Sequence, residues 1–252
     1  MDSASEHSET QARLALMLLS AVVWSLFGFD VLVFAGSQLA TAHESAVPAA
    51  ASIWVPWWDM EHPVSGVYMA VMLAIGAVGL WFHLRMRKVD GEALPMGRMT
   101  YPLLGAIAVA VLVDRYAWNV IAELTASSGA DETVLGEREE YAYTLTAAHM
   151  IGEVLWTVLA APVFEEMVFR GLLLGCLLAR GWNPWVAVSV TAAAFASTHG
   201  QYYLPGLISV FVGGLLFGWL RIISGGLAAP ILAHVAMNAW VVYEDWAELQ
   251  AA

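Results

Sequence analysis

The sequence predicts an all-α protein, a polytopic bundle of about seven to eight transmembrane helices with one helix broken at Pro162. Three observations carry that expectation. Of the 252 residues 60% are hydrophobic and only 13% charged, with a mean hydropathy of +0.68, whereas soluble domains carry roughly 25% charged residues. Apolar runs of roughly 17 to 23 residues, enough to cross a hydrocarbon core of about 30 Å, recur along most of the chain. Finally, the stretch 144–180 would reach roughly 55 Å as one straight helix, and Pro162 is where it should break.

Charge and cysteine content exclude some functions. A net charge of −12 argues against a nucleic-acid partner, which requires a basic face to neutralise phosphates. The single cysteine, Cys176, cannot form an intramolecular disulfide or a thiolate metal cluster. It lies in an apolar run, a poor setting for a nucleophile.

Taken in order, residues 1–11 are polar and acidic, without the basic region or cleavage pattern of a signal peptide, and are expected to be disordered within a cytoplasmic tail, 1–13. The run 14–36 is long enough to span, with Asp30 its single acid. Residues 37–65 hold Glu44, Asp59, Glu61, Trp54, Trp57 and Trp58, a composition suited to an interfacial or re-entrant segment. Span two, 66–84, is followed by the basic cluster Arg85, Arg87, Lys88 and Arg98, which should be cytoplasmic. Span three, 101–121, is interrupted by Asp114 and Arg115. Neighbours on a helix do not face each other, so both are expected to act as polar glue to other helices. Residues 123–143 read as an acidic outside loop with Arg138. The organisation is therefore a three-span region, 14–143, a second membrane domain, 144–243, and an acidic tail, 244–252.

In the second domain, short and long apolar runs follow at 185–198, 206–223 and up to Tyr243, with Pro205 and Pro230 near helix starts and Gly214 and Gly218 set for close packing. The basic loops place the N-terminus in the cytoplasm and the C-terminus outside, with about seven crossings, in what is expected to be the plasma membrane.

The polar residues inside these helices carry the functional signal. Glu165, Glu166 and Arg170 sit at bilayer depth, where each charge costs several kcal/mol unless paired, hydrated or metal-bound. Glu166 and Arg170 are four apart, in the favourable order for an ion pair. Glu165 points about 100° away and stays free. Phe195 and His199 share one face of another helix, and His234 and Asn238 one face of a third. Counted along the helical rise from Arg180 and Arg221, Glu165 and His199 lie at roughly 22 Å and His234 and Asn238 at roughly 12 to 18 Å, so the four share a layer.

A carboxylate with two histidines, Glu165, His199 and His234, is the ligand set of a catalytic Zn²⁺ with an open position; Glu with His also activates water without metal. A buried His and Asn can donate to the oxygen of a tetrahedral intermediate. The pair His149 and Glu153, also four apart, is expected to be interfacial packing. The same buried polar residues would also suit an ion-coupled transporter or, with chemistry lost, a partner-binding scaffold.

In order, Glu165-Glu166 with Arg170, Phe195 with His199, and His234 with Asn238 match the motifs EExxxR, FxxxH and HxxxN. This region resembles the CPBP family of intramembrane proteases, the group of CAAX prenyl endopeptidases and bacteriocin-processing or abortive-infection proteins, often called metalloproteases. The resemblance covers roughly 148–243. It implies a chamber within the bilayer, hydrolysis of membrane-associated protein or peptide substrates by water that Glu165 and His199 activate, and an oxyanion held by His234 and Asn238. Glu166 and Arg170 complete the first motif.

Overall fold

The structure, a computed structural model, describes residues 3–24, 65–129, 147–200 and 202–251, with no β-sheet among them. The Trp-rich segment, Asp30 and the loop with Arg138 lie outside the described residues, as does the side chain of His149.

Helix α1, Ser3–Val23, begins earlier than expected. The polar residues assigned to a disordered tail form its first turns. Helix α2, Ser65–Met86, follows, and Lys88 at φ 57° stops it. Val89 N–H bonds Leu84 O at 3.1 Å and Lys88 N–H bonds Arg85 O at 3.0 Å, a Schellman closure. Both apolar residues of that closure, Leu84 and Val89, are buried in the core. A single turn, α3, Asp90–Ala93, leads to α4, Tyr101–Ser127, with Pro102 in its first turn.

The next helix, α5, corrects the expected break. It continues through Pro162 from 147 to 179 as alternating α and π turns: Ala147–Glu153, π Val154–Ala160, Ala161–Glu166, π Met167–Leu173 and Leu174–Ala179. A proline inside an α-helix removes one hydrogen bond and crowds the carbonyl four residues back. Widening the preceding turn to π geometry lets the helix pass the ring without ending.

Gly181, at φ 78°, closes α5 with bonds from Trp182 N–H to Leu177 O and Gly181 N–H to Leu178 O. Helix α6, Pro184–Ser197, opens on Asn183, whose side chain accepts from the N–H groups of Trp185 and Val186. Helix α7, Leu204–Ser224, ends at Gly225 with φ 67°. Helix α8, Ala228–Ala251, runs past Tyr243, so the acidic residues expected as a tail extend the last helix.

Close backbone approach sets how these helices cross. A Cβ at Gly214 would meet Ala192 Cβ at 3.0 Å and one at Gly218 would meet Val188 Cγ1 at 2.7 Å, both on α6. On the other side of the bundle, a Cβ at Gly66 of α2 would come within 2.6 Å of the Gly152 carbonyl carbon on α5. The α7–α8 turn hooks onto the segment before α4, with Leu227 N–H bonding Pro95 O at 2.8 Å and Ala228 N–H bonding Met96 O at 3.1 Å.

The apolar core runs from Leu80, Leu84 and Val89 through Phe164, Leu172 and Cys176 to Phe195, Phe217, Leu227 and Ala233. Cys176 is fully buried, donating to Leu14 O. Among the described residues three helices are long and apolar enough to cross a bilayer, Gly66–Met86, Tyr101–Ser127 and Leu204–Ser224. The chain is an integral membrane protein, and its described residues form an all-α bundle.

Candidate active site

Helices α5, α6, α7 and α8 bring the motif residues around one buried guanidinium. Arg170 is fully buried, as is Glu166. Arg170 Nη1 donates to Glu166 Oε1 at 3.0 Å, and Nη2 donates to Gly214 O at 3.1 Å. The Arg170 cation also lies 4.5 Å from the Phe195 ring centre and 5.1 Å from that of Phe217. Its Nε has no hydrogen-bond partner among the described residues, and the π faces of Phe195 and Phe217 lie against the cation instead. The glycine at 214 is part of this, since a Cβ there would reach within 3.4 Å of Arg170 Nη2.

Glu166 has a second partner on the same oxygen. His234 Nδ1 lies 3.1 Å from Glu166 Oε1. A carboxylate only accepts, so Nδ1 carries the proton. His234 Nε2 then faces Glu165 Oε2 at 3.7 Å. The two acids of the motif therefore differ in kind: Glu166 is held by Arg170 and His234, while the Glu165 side chain is 25% exposed and its carboxylate is directed at the outer nitrogen of the same imidazole. Phe217 stacks on the His234 ring at 4.4 Å and 21°, fixing its plane.

His199 stands just past the end of α6, half-buried, with Nδ1 2.9 Å from Phe195 O. A carbonyl accepts only, so the proton sits on Nδ1 and the Nε2 lone pair is left available. Phe195 packs edge-on against His199 at 4.6 Å and against His234 at 5.8 Å. One aromatic ring thus separates and orients both histidines.

Asn238 is spent differently from what its motif alone indicates. Its Nδ2 donates to Thr157 O at 2.8 Å. That carbonyl is free because of the π turn: Ala161 N–H bonds Trp156 O, five back, and Pro162 has no N–H to give. Thr157 in turn donates its hydroxyl to Glu153 Oε2 at 3.0 Å. One hydrogen of the Asn238 amide remains.

The second π turn repeats the device. Leu174 N–H bonds Phe169 O rather than Arg170 O, and Arg221 Nε donates to the Arg170 carbonyl at 3.3 Å. Arg221, read from sequence only as a cytoplasmic marker, is buried in the bundle. Sequence reasoning also passed over Thr157 and Phe217. A signal for two of these exists, since Gly214, Phe217, Gly218 and Arg221 fall at i, i+3, i+4 and i+7 on one face of α7.

The zinc ligand set expected of Glu165, His199 and His234 does not converge here. Among the described residues no three His, Cys, Asp or Glu side chains stand close enough to share a metal ion. The Nδ1 contacts of His234 and His199 leave both Nε2 atoms open, but with Glu165 they do not stand close enough to share one ion, so the residues as placed do not fit a three-ligand site. The pair expected to be polar glue divides: Arg115 pairs with Glu244 and lies over Trp240, whereas Asp114 points toward α7.

Comparison with known proteins bears on residues 147–240, which match the family model of Type II CAAX prenyl endopeptidase Rce1-like proteins. The chain is also 36% identical over 103 residues to an uncharacterized 24.3 kDa protein of Escherichia coli, an alignment covering 38% of this chain and 48% of that one. The chain thus spans about half the length of that relative. No solved structure matches the chain. The segment 147–240, which carries all three motifs on α5 to α8, is thus similar to the Rce1-like type II CAAX prenyl endopeptidases.

Proposed function

We propose that the protein is an intramembrane endopeptidase that hydrolyses peptide bonds of membrane-associated substrates. The observation that carries this reading is the division of labour between neighbouring acids. Glu166 is consumed by Arg170 and His234, while Glu165 keeps an accessible carboxylate beside the His234 ring.

In the reaction, a water held between Glu165 and His199 Nε2 gives its proton to Glu165 as its oxygen bonds the scissile carbonyl carbon. The negative charge arriving on the carbonyl oxygen is met by His234 Nε2–H and the remaining hydrogen of the Asn238 amide, a contribution of roughly 3 to 4 kcal/mol per donor in comparable sites. That role requires a proton on each ring nitrogen of His234, Nδ1–H donating to Glu166 and Nε2–H to the oxyanion. The proton on Glu165 then passes to the leaving nitrogen as the C–N bond breaks. Glu166 and Arg170 touch no reacting atom; they hold His234 and the α5–α7 contact in place.

The test compares reconstituted protein with Glu165→Gln and His199→Ala variants on an S-farnesylated CAAX peptide and on peptides of a membrane digest. Cleavage by the unmodified protein and its loss, by at least a thousandfold, in both variants at unchanged folding is expected. Turnover retained in either variant refutes the roles given to these residues.

A further inference from the structure

Asp114 is a carboxylate near the middle of α4, in the part of the chain that lies outside the Rce1-like segment, and none of the three motifs uses it. Its position is set by α7. A Cβ built on Gly213 would come within 3.3 Å of Asp114 Oδ1 and within 3.8 Å of the Phe217 ring, and Phe217 is the ring stacked on His234. Asp114, Gly213, Phe217 and His234 are therefore consecutive neighbours along one wall.

The cations nearby are already taken. Arg115 is paired with Glu244, and Arg170 with Glu166 and the Gly214 carbonyl. Among the described residues no hydrogen bond reaches the Asp114 carboxylate. The Asp114 carboxylate thus sits on this wall with no hydrogen-bonded cation of its own among the described residues. At bilayer depth such a charge is costly unless a cation or water meets it.

We infer that Asp114 is a specificity residue that receives a cationic group of the substrate, an ammonium or guanidinium, close to the scissile bond; this rests on the peptidase reading above. The Asp114 carboxylate is then matched only when a basic substrate side chain is seated. A neutral substrate of equal length leaves it unmatched, which lowers affinity rather than the rate of bond breaking. Gly213 is the companion feature, since a side chain there would press on the carboxylate.

The experiment uses the full chain in liposomes and S-farnesylated peptides that differ at one position, Lys, Met or Glu, moved through the positions flanking the cleaved bond. At one position the unmodified protein should favour Lys over Met by at least tenfold in kcat/KM, mainly through KM. The Asp114→Asn variant should bring Lys and Met within about twofold through a change in KM, and Asp114→Lys should favour Glu. Equal use of Lys and Met at every position, or an Asp114→Asn variant that slows all probes alike, overturns the inference and leaves the peptidase reading standing. Failure of the unmodified protein to cleave any probe removes that reading and the inference with it.

Discussion

Asn238 Nδ2 donates at 2.8 Å to the carbonyl of Thr157, a bond between α8 and a stretch of α5 whose own backbone cannot supply the donor. The π turn and Pro162 together create the vacancy in the hydrogen-bond ladder, and the third motif fills it. A residue expected only to serve chemistry thereby also docks two helices, and Arg221 does the same for Arg170 O.

Removing either donor leaves a carbonyl unpaired away from water. Asn238→Leu and Arg221→Met are each expected to lower stability by about 1 kcal/mol, in the range for interhelical hydrogen bonds within membranes. Thermal unfolding in detergent is the measurement, and unchanged midpoints in both variants would show that these bonds do not hold the π turns.

The buried ion pair gives a sharper contrast. Arg170→Met leaves Glu166 charged, buried and short of a partner, and should cost about 3 to 5 kcal/mol. Combining it with Glu166→Gln removes the stranded charge, so the double variant should be more stable than Arg170→Met alone. A double-mutant cycle reads this directly; additivity of the two changes would mean the pair is not coupled.

Glycine contacts predict which positions tolerate bulk. Gly152→Leu should separate α5 from α2, because a Cβ there already meets Gly66 Cα at 3.1 Å. Gly105→Ala, where nothing lies within 4 Å, should be neutral or stabilise by up to about 1 kcal/mol through helix propensity. Expression and unfolding midpoints of the two variants side by side check the assignment; equal tolerance would contradict the crossing.

Phe217 stacks on His234 and faces Arg170. Phe217→Leu keeps most of the volume but loses the flat surface that sets the imidazole plane. Peptide turnover should fall at least tenfold in kcat with the folded fraction little changed, as measured by steady-state kinetics beside unfolding. An unaltered kcat would show that the ring is only packing.

The sequence by itself determined the helical membrane class and singled out the polar residues inside the helices. Long apolar runs admit few alternatives in lipid, where every backbone group must be satisfied within the segment. The four-residue spacings of Glu166 with Arg170, Phe195 with His199, and His234 with Asn238 also follow from one helical period. Pro162 was legible as an irregularity, but whether it ended the helix or only shifted its hydrogen bonds depended on donors from α8 and α7, more than fifty residues away in the chain. Tertiary structure alone decided that Glu165 and Glu166 stand on either side of one imidazole, that Arg221 turns inward, and that Asp114 joins the wall at Gly213. Each depends on which helix faces are pressed together, and periodicity fixes a residue's face but not the partner that covers it.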